Sequence, residues 1–277
     1  MTLIQQAARV CVEVRAASGS DFVGVAFSGG KEAVCMLDVC AQHFKHVHAC
    51  YMYLVPGMHC LEAPLEAYVR RYKNVTLHKL PHFELAHYLK HSVLRPHTDG
   101  ADDIKDYALK GAADHMRQLT GAEWIGWGWR RGDSFIRRKV LNNLGVVSLS
   151  QRIFYPLADW SRADVFSYMR AKRLEVPKQV GAATGDSLVT SGFDVAEAKS
   201  LRWVKANYPA DYERVLSVFP FAEVMLAREQ FYPDTVPEVP ARGPRKKRDQ
   251  TGAIQPPQDG QVGRGENAEE PEKDGAA

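Results

Sequence analysis

Near the start of the chain, apolar residues recur at helical spacing. Further along, they form short continuous runs. Residues 2–17 carry apolar side chains at intervals of three and four, which predicts a helix. Residues 22–27 (FVGVAF) form an apolar run that ends at Ser-Gly-Gly, typical of a buried strand entering a tight turn. The same signals predict further helices over 31–43, 60–73 and 102–119, and strands over 48–55, 75–80 and 123–128.

Strands that alternate with helices in this way predict an α/β fold with a twisted, mostly parallel sheet and helices on both faces. In such sheets ligands bind beyond the carboxyl ends of the strands. We therefore expect the loops at 28–31, 55–60 and 128–134 to meet at one edge of the sheet.

The pattern changes twice in the second half of the chain. From 194 to 231 it is helical, with aromatic anchors, and after Pro233 large apolar residues almost disappear. A segment that can bury so little apolar surface is not expected to order. The predicted organisation is an α/β domain over 1–180, a helical C-terminal extension packed on it over 181–233, and a disordered tail over 234–277.

Composition limits the cellular setting. The five cysteines are odd in number and contain no CxxC pair, which argues against a disulfide framework or a structural zinc site and favours a reducing compartment. The start of the chain does not resemble a signal peptide, and no apolar run could span a membrane. We expect a cytoplasmic protein without a membrane partner, and its net charge of +3 is too small to demand nucleic acid.

The turn after the first strand has the clearest chemical use. Ser28-Gly29-Gly30-Lys31 stands between a strand and a helix, where glycines let the backbone approach a ligand and the helix N-terminus attracts an anion. Lys31 adds a positive charge. The alternative is a turn that uses glycine only for its shape, since neither GxxxxGK[ST] nor GxGxxG is present.

Three segments carry a family resemblance. VAFSGGKEAVCML resembles the SGGKDS loop of the adenine-nucleotide α-hydrolase-like (PP-loop) superfamily. Residues 124–139 (WIGWGWRRGDSFIRRK) and 155–174 (YPLADWSRADVFSYMRAKRL) resemble segments of its phosphoadenylyl sulfate (PAPS) reductase family, in the family's order. The resemblance covers about 20–180 and implies that the 1–180 domain binds a nucleotide.

The resemblance also implies roles for residues. Ser28, Gly29, Gly30 and Lys31 would hold a phosphate or sulfate group. The arginines after the fourth strand would supply cationic partners for the same group: Arg130, Arg131, Arg137 and Arg138. Lys31, Arg130 and Arg131 would also stabilise the charge that develops in the reaction.

The chain departs from the family pattern at several positions. Glu32 and Ala33 replace the Asp-Ser of the usual loop, and LVPGMHC stands where many reductases carry Asp-Thr-Gly. Family reductases attack with a cysteine in a C-terminal Glu-Cys-Gly-Leu-His motif, whereas Cys60 is the last cysteine here. Thiol-dependent reduction is therefore not expected, and Cys60 is the sole substitute nucleophile, with a packing role as the alternative.

The implied function is binding of an adenine nucleotide or sulfonucleotide and nucleotidyl or sulfonucleotide chemistry, either ATP cleavage between the α and β phosphates or sulfate-group activation. Two alternatives stay open. One is a binding module without catalysis, and the other is a nucleic-acid modification enzyme of the thiolation type. The basic segment 244–248 is a weak candidate contact for nucleic acid or a protein partner.

The expected ligands are ATP, adenylyl sulfate or phosphoadenylyl sulfate, without an iron–sulfur cluster. Asp102 and Asp106 are candidate magnesium ligands, with a helix N-terminal role as the alternative. His87 and His91 have a spacing that can chelate a metal, but no acid completes an obvious set, so we predict no resident metal site.

Overall fold

The computed structural model of the protein describes residues 2–105, 107–175 and 193–231. Contacts group the chain into two compact units, 1–233 and 234–277. The second unit lies outside the described residues, and so do the predicted disorder of 234–277, the basic segment 244–248, and Asp106.

The described residues form six strands and ten helices, with a 3-10 turn at Ala101–Asp103. The strands are β1 (Phe22–Ala26), β2 (His46–Tyr53), β3 (Val75–Pro81), β4 (Ile125–Gly126), β5 (Val147–Ser148) and β6 (Ile153–Phe154). The helices are α1 (Leu3–Ser18), α2 (Lys31–His43), α3 (His59–Val69), α4 (Phe83–Lys90), α5 (Leu109–Thr120), α6 (Phe135–Leu144), α7 (Arg162–Lys172), α8 (Ala198–Asn207), α9 (Pro209–Val218) and α10 (Glu223–Phe231).

The strands form one sheet in the order β3-β2-β1-β4-β6-β5. All neighbours are parallel except β5 and β6. The chain moves outward from β1 to β3 and then crosses to β4 on the other side of β1. This reversal makes a topological switch point between β1 and β4, and sheets of this kind commonly bind ligands beyond the carboxyl ends of the strands at such a point.

Helices cover both faces of the sheet. On one face, Val23 and Val25 of β1 belong to the core that includes buried residues of α1, α2, α3 and α7. On the other face, Ile125 of β4 and Cys50 of β2 pack with Met116 of α5. The α/β fold class predicted from the sequence is confirmed, since alternate strand residues feed two separate apolar layers.

Local sequence sets the ends of several helices. Thr2 and Gln5 form a reciprocal capping box at the start of α1, and Gly19 ends that helix in the left-handed conformation with φ 61°. Ser161 and Asp164 form a second capping box at the start of α7. These caps satisfy backbone groups that a helix end leaves without a partner.

Some predicted boundaries were wrong. The helix predicted over 102–119 begins at Leu109, because Asp102 and Asp103 lie in the 3-10 turn. The strand predicted over 123–128 pairs only at Ile125–Gly126. The sequence pattern gave no signal for α4, in which Leu85 is the single buried residue, or for the two-residue strands β5 and β6, which are too short to show alternation.

None of the helices in the described ranges is both long enough and apolar enough to cross a bilayer.

Candidate functional site

The turn after β1 lies at the switch point. Gly29 adopts φ 75°, a conformation that side chains beyond hydrogen disfavour, and Gly30 caps α2 without a side-chain hydrogen bond. The backbone N–H of Gly30 donates to Ser28 Oγ at 3.4 Å. The first N–H groups of α2, together with the positive end of its dipole, therefore lie at the carboxyl end of β1.

The loop after β4 lies directly against this helix start. A Cβ atom on Gly128 would come within 3.2 Å of the Glu32 carbonyl group, so a larger residue there would push the two backbone segments apart by a few tenths of an ångström. Glu32 Oε1 lies 3.1 Å from Lys31 Nζ and 3.0 Å from Arg130 Nη2. One carboxylate oxygen therefore joins the cation of the first loop to the cation of the second.

A second carboxylate extends the cluster. Asp133 Oδ1 lies 2.5 Å from Arg130 Nη2, while Oδ2 accepts from the Arg130 backbone N–H at 3.0 Å and from Arg137 Nη1 at 2.9 Å. The Arg137 guanidinium also lies over the Trp129 ring, 5.2 Å from its centroid. Lys31, Arg130 and Arg137 are thus linked through Glu32 and Asp133.

Arg130 is the most buried cation of this cluster, with 9% of its side chain exposed. Its Nε atom is buried and has no hydrogen-bond partner among the described residues. A buried donor of this kind is costly unless an acceptor reaches it. The Arg130 guanidinium can therefore donate a hydrogen bond to an anionic oxygen.

The other predicted arginines bind elsewhere. Arg131 forms an ion pair with Asp159, and its Nε donates to Asn142 at 3.2 Å. Arg138 donates to the backbone carbonyl of Arg131 at 3.2 Å. The structure therefore brings Lys31, Arg130 and Arg137 together, and places Arg131 and Arg138 along the rim formed by α6.

Trp127 and Trp129 lie on either side of Gly128, in the segment after β4. Trp127 is buried in the core layer beneath the sheet, whereas Trp129 is partly exposed. Trp129 stacks on Tyr155 with ring centroids 5.9 Å apart. The two tryptophans therefore have different surroundings, and Trp129 is the one that meets the cation cluster.

The third predicted loop ends at Cys60, which lies in the first turn of α3. The backbone N–H groups of His59 and Cys60 donate to the two carboxylate oxygens of Asp211, at 2.9 and 2.7 Å. Burial, together with the nearby Asp211 carboxylate, raises the pKa of the Cys60 thiol far above its ordinary value. Burial acts to raise the pKa of Asp211, but these backbone hydrogen bonds outweigh it and hold that pKa below its usual range. Cys60 is consequently a buried, protonated thiol.

Across residues 2–105, 107–175 and 193–231, no three His, Cys, Asp or Glu side chains are placed to hold a metal ion. The rings of His87 and His91 lie 4.4 Å apart on α4. Asp102 lies in the 3-10 turn, and its predicted companion Asp106 is outside the described residues.

Three acidic residues of this region were not predicted as functional. Glu32 was noted only as a departure from the family loop, and Asp133 and Asp211 were not considered. The sequence holds a partial signal for the first two, because each lies within three positions of a predicted cation. Asp211 is distant in sequence from α3, so nothing local could reveal its contact.

Comparison with curated protein sequences gives no match. Among solved structures, similar chains include the U34-tRNA thiolase NcsA from Methanococcus maripaludis (13% identity, 81% of this chain and 79% of that chain, TM-score 0.40). Another is the phosphoadenylyl-sulfate reductase from Candida auris in a phosphate complex (16% identity, 64% of this chain and 82% of that chain, TM-score 0.40). A third is the NH3-dependent NAD synthetase from Campylobacter jejuni in complex with nitrate (12% identity, 84% of this chain and 97% of that chain, TM-score 0.43).

The cofactor prediction needs correction. We expected a nucleotide as substrate, considered Asp102 and Asp106 as candidate magnesium ligands, and excluded an iron–sulfur cluster. The NcsA structure is described with its [4Fe-4S] cluster, so the exclusion was wrong. The physical reason is that a fold does not determine its cofactor, because the residues grafted at the sheet edge do.

The family match covers the elements that build the site. Residues 23–183 match the family described as "Phosphoadenosine phosphosulfate reductase domain". That range is more than half of the chain and contains the loop after β1, the cation cluster after β4, and α7. The resemblance seen in the three sequence segments is therefore confirmed, and the chain belongs to the phosphoadenosine phosphosulfate reductase domain family.

Proposed function

We propose that the switch-point site binds the phosphate or sulfate group of an adenine nucleotide or sulfonucleotide. The loop Ser28–Lys31 and the first turn of α2 supply N–H groups, while Lys31 and Arg130 supply positive charge. The observation that carries the proposal is Arg130, a buried guanidinium beside the helix N-terminus whose Nε has no partner among the described residues.

The chemistry that fits is stabilisation of developing negative charge on phosphorus or sulfur. Lys31 and Arg130 are held in place before a ligand arrives, so they need little reorganisation during a reaction. Arg131, at the rim, is a further cation for the leaving group. Such a site suits ATP cleavage between the α and β phosphates, or activation of a sulfate group. Reduction by a thiolate does not fit, because Cys60 is buried and protonated.

Ligand-dependent stabilisation tests the binding step. ATP, adenylyl sulfate, phosphoadenylyl sulfate and adenosine are each added to the full chain, and the melting temperature is followed with concentration. A ligand that binds only the folded state stabilises it by about 2.7 kcal/mol at a hundredfold excess over Kd. We expect stabilisation by at least one phosphate-bearing compound and none by adenosine. Equal effects of all four, or no effect of any, would refute the proposal.

A second candidate is a binding module without turnover. It is favoured by Glu32 and Asp133, which already neutralise much of the positive charge that a reaction would use. Release of AMP, pyrophosphate, sulfate and sulfite by the loaded protein separates the two. Product formation that Lys31→Ala abolishes supports an enzyme, whereas binding with no product after prolonged incubation supports the module.

A further inference from the structure

The carboxylate of Glu32 occupies the place where a bound anion would bridge the two loops. Its Oε1 atom lies 3.1 Å from Lys31 Nζ and 3.0 Å from Arg130 Nη2. We propose that Glu32 is an internal counter-anion that a ligand must displace, and that it thereby excludes weakly binding inorganic anions from the site. This inference rests on the proposed function and assigns a role to a residue that the family resemblance left only as a departure.

The burial of the cluster makes this competition strong. The side chain of Glu32 is 18% exposed, that of Lys31 13% and that of Arg130 9%. At such positions water screens charges weakly, so two cations that share a single remaining carboxylate, Asp133, would be costly. Glu32 therefore stabilises Arg130 in the absence of ligand, and an incoming oxyanion that bridges the same two cations replaces this contact.

The backbone cannot move aside to make room. Gly128 packs closely against the Glu32 carbonyl group. The Val34 N–H donates to the Gly30 carbonyl, which fixes the first turn of α2 around Glu32. Displacement therefore occurs by rotation of the Glu32 side chain. Asp133 stays with Arg130 and Arg137, since it also accepts the Arg130 backbone N–H.

Displacement costs the same free energy for every anion that bridges Lys31 and Arg130. It therefore weakens the binding of every such anion by the same factor, and leaves the order of their affinities unchanged. An inorganic anion, which has only this contact, is the first to lose measurable binding. A nucleotide, which adds contacts through its base and sugar, still binds.

The experiment measures the affinity of inorganic pyrophosphate by titration calorimetry. We expect Glu32→Gln to bind it roughly tenfold more tightly than the natural chain, a change of about 1.4 kcal/mol. Glu32→Asp keeps the charge but is one methylene shorter and cannot span both cations, so it too should tighten binding. The matched control is Glu13→Gln on the exposed face of α1, which should leave the affinity within twofold.

The outcomes separate this inference from the proposed function. Weaker binding in Glu32→Gln would mean that Glu32 positions the cations, and would overturn the inference. Tightening in Glu32→Gln but not in Glu32→Asp would show a simple charge effect, and would also overturn it. If Glu32→Gln binds pyrophosphate no better when Lys31 is present than when it is replaced by alanine, the proposed site itself fails. Should Glu32→Gln fold poorly, Glu32→Asp decides alone: tighter binding of pyrophosphate than by the natural chain supports the inference, and equal or weaker binding overturns it.

Discussion

At the scale of single residues, the site is decided by how each charge is paired. Arg130 was predicted as a cation from its segment, but its two carboxylate partners come from different loops, Glu32 from the start of α2 and Asp133 from its own turn. Sequence shows which residues carry charge and leaves open which charges meet. The pairing matters because a buried guanidinium with two carboxylates responds to a ligand differently from a free one.

Lys31→Ala should weaken binding of the stabilising nucleotide roughly tenfold or more, since a charge-assisted contact to a phosphate oxygen is lost. The melting temperature of the unliganded chain should change little, because Lys31 contributes charge and little apolar packing. Affinity and melting are measured on the same preparations. Lys45→Ala, with 80% of the side chain exposed and an ion pair to Asp21, is the control and should leave binding unchanged.

The chain should release no sulfite from phosphoadenylyl sulfate in the presence of reduced thioredoxin. Residues 61–277 contain no cysteine, and the buried Cys60 thiol has a pKa raised by its surroundings, so no thiolate reaches the site. The assay compares the natural chain with Cys60→Ser. Turnover that disappears in Cys60→Ser would identify Cys60 as a nucleophile and contradict this prediction.

At the scale of secondary-structure elements, strands β2 and β3 place three histidines together on one face. His48 Nδ1 lies 2.9 Å from His78 Nε2, and the rings of His46 and His48 lie 4.5 Å apart. The strand pairing places His48 beside Thr76, two residues before His78, which makes this diagonal contact. The sequence predicted both strands, but strand register alone brought the rings into contact.

These histidines should make folding stability fall in mild acid. Burial, and then the charges on His46 and His78, lowers the pKa of His48 to about 4, and burial lowers the pKa of His78. Between these pKa values the unfolded chain binds protons that the folded chain does not bind. The free energy of unfolding is therefore highest above about pH 6.5 and declines as the pH falls toward about 4. His48→Gln should flatten this decline by about 1 kcal/mol, a figure reduced because solvent partly reaches the ring.

Urea unfolding at a series of pH values measures this effect. His115→Gln, an exposed histidine on α5, is the control and should keep the slope of the natural chain. If the free energy of unfolding depends on pH equally in the His48→Gln variant and in the natural chain, protonation of the His48 and His78 rings does not affect folding stability.

At the scale of the whole molecule, the C-terminal helices pack against the core of the α/β fold and contact the start of α3. Asp211 of α9 is 2% exposed and caps the start of α3, while Phe219 belongs to the main core. Asp211 therefore holds the start of α3 in place from a helix that is distant in sequence.

Asp211→Ala should lower the free energy of unfolding by about 2 kcal/mol, since it removes the cap of α3 and leaves two backbone N–H groups without their acceptor. Chemical denaturation measures it. Glu213→Ala, an exposed acid on the same helix, should cost little. Equal losses in the two variants would show that the loss of an acidic side chain from α9, and not the loss of the cap, explains the effect.

The sequence by itself determined the fold class, the strand-turn-helix geometry of Ser28–Lys31, and the family, because apolar periodicity and glycine positions are local properties of the chain. It could not determine the short strands β5 and β6 or the start of α5, which depend on pairing and packing. Only the tertiary structure decided that Glu32 bridges Lys31 and Arg130, and that Asp211 caps α3. Arg130 is far from Glu32 in sequence, and Asp211 is far from α3, and the position of β4 beside β1 in the sheet is what brings Glu32 and Arg130 together.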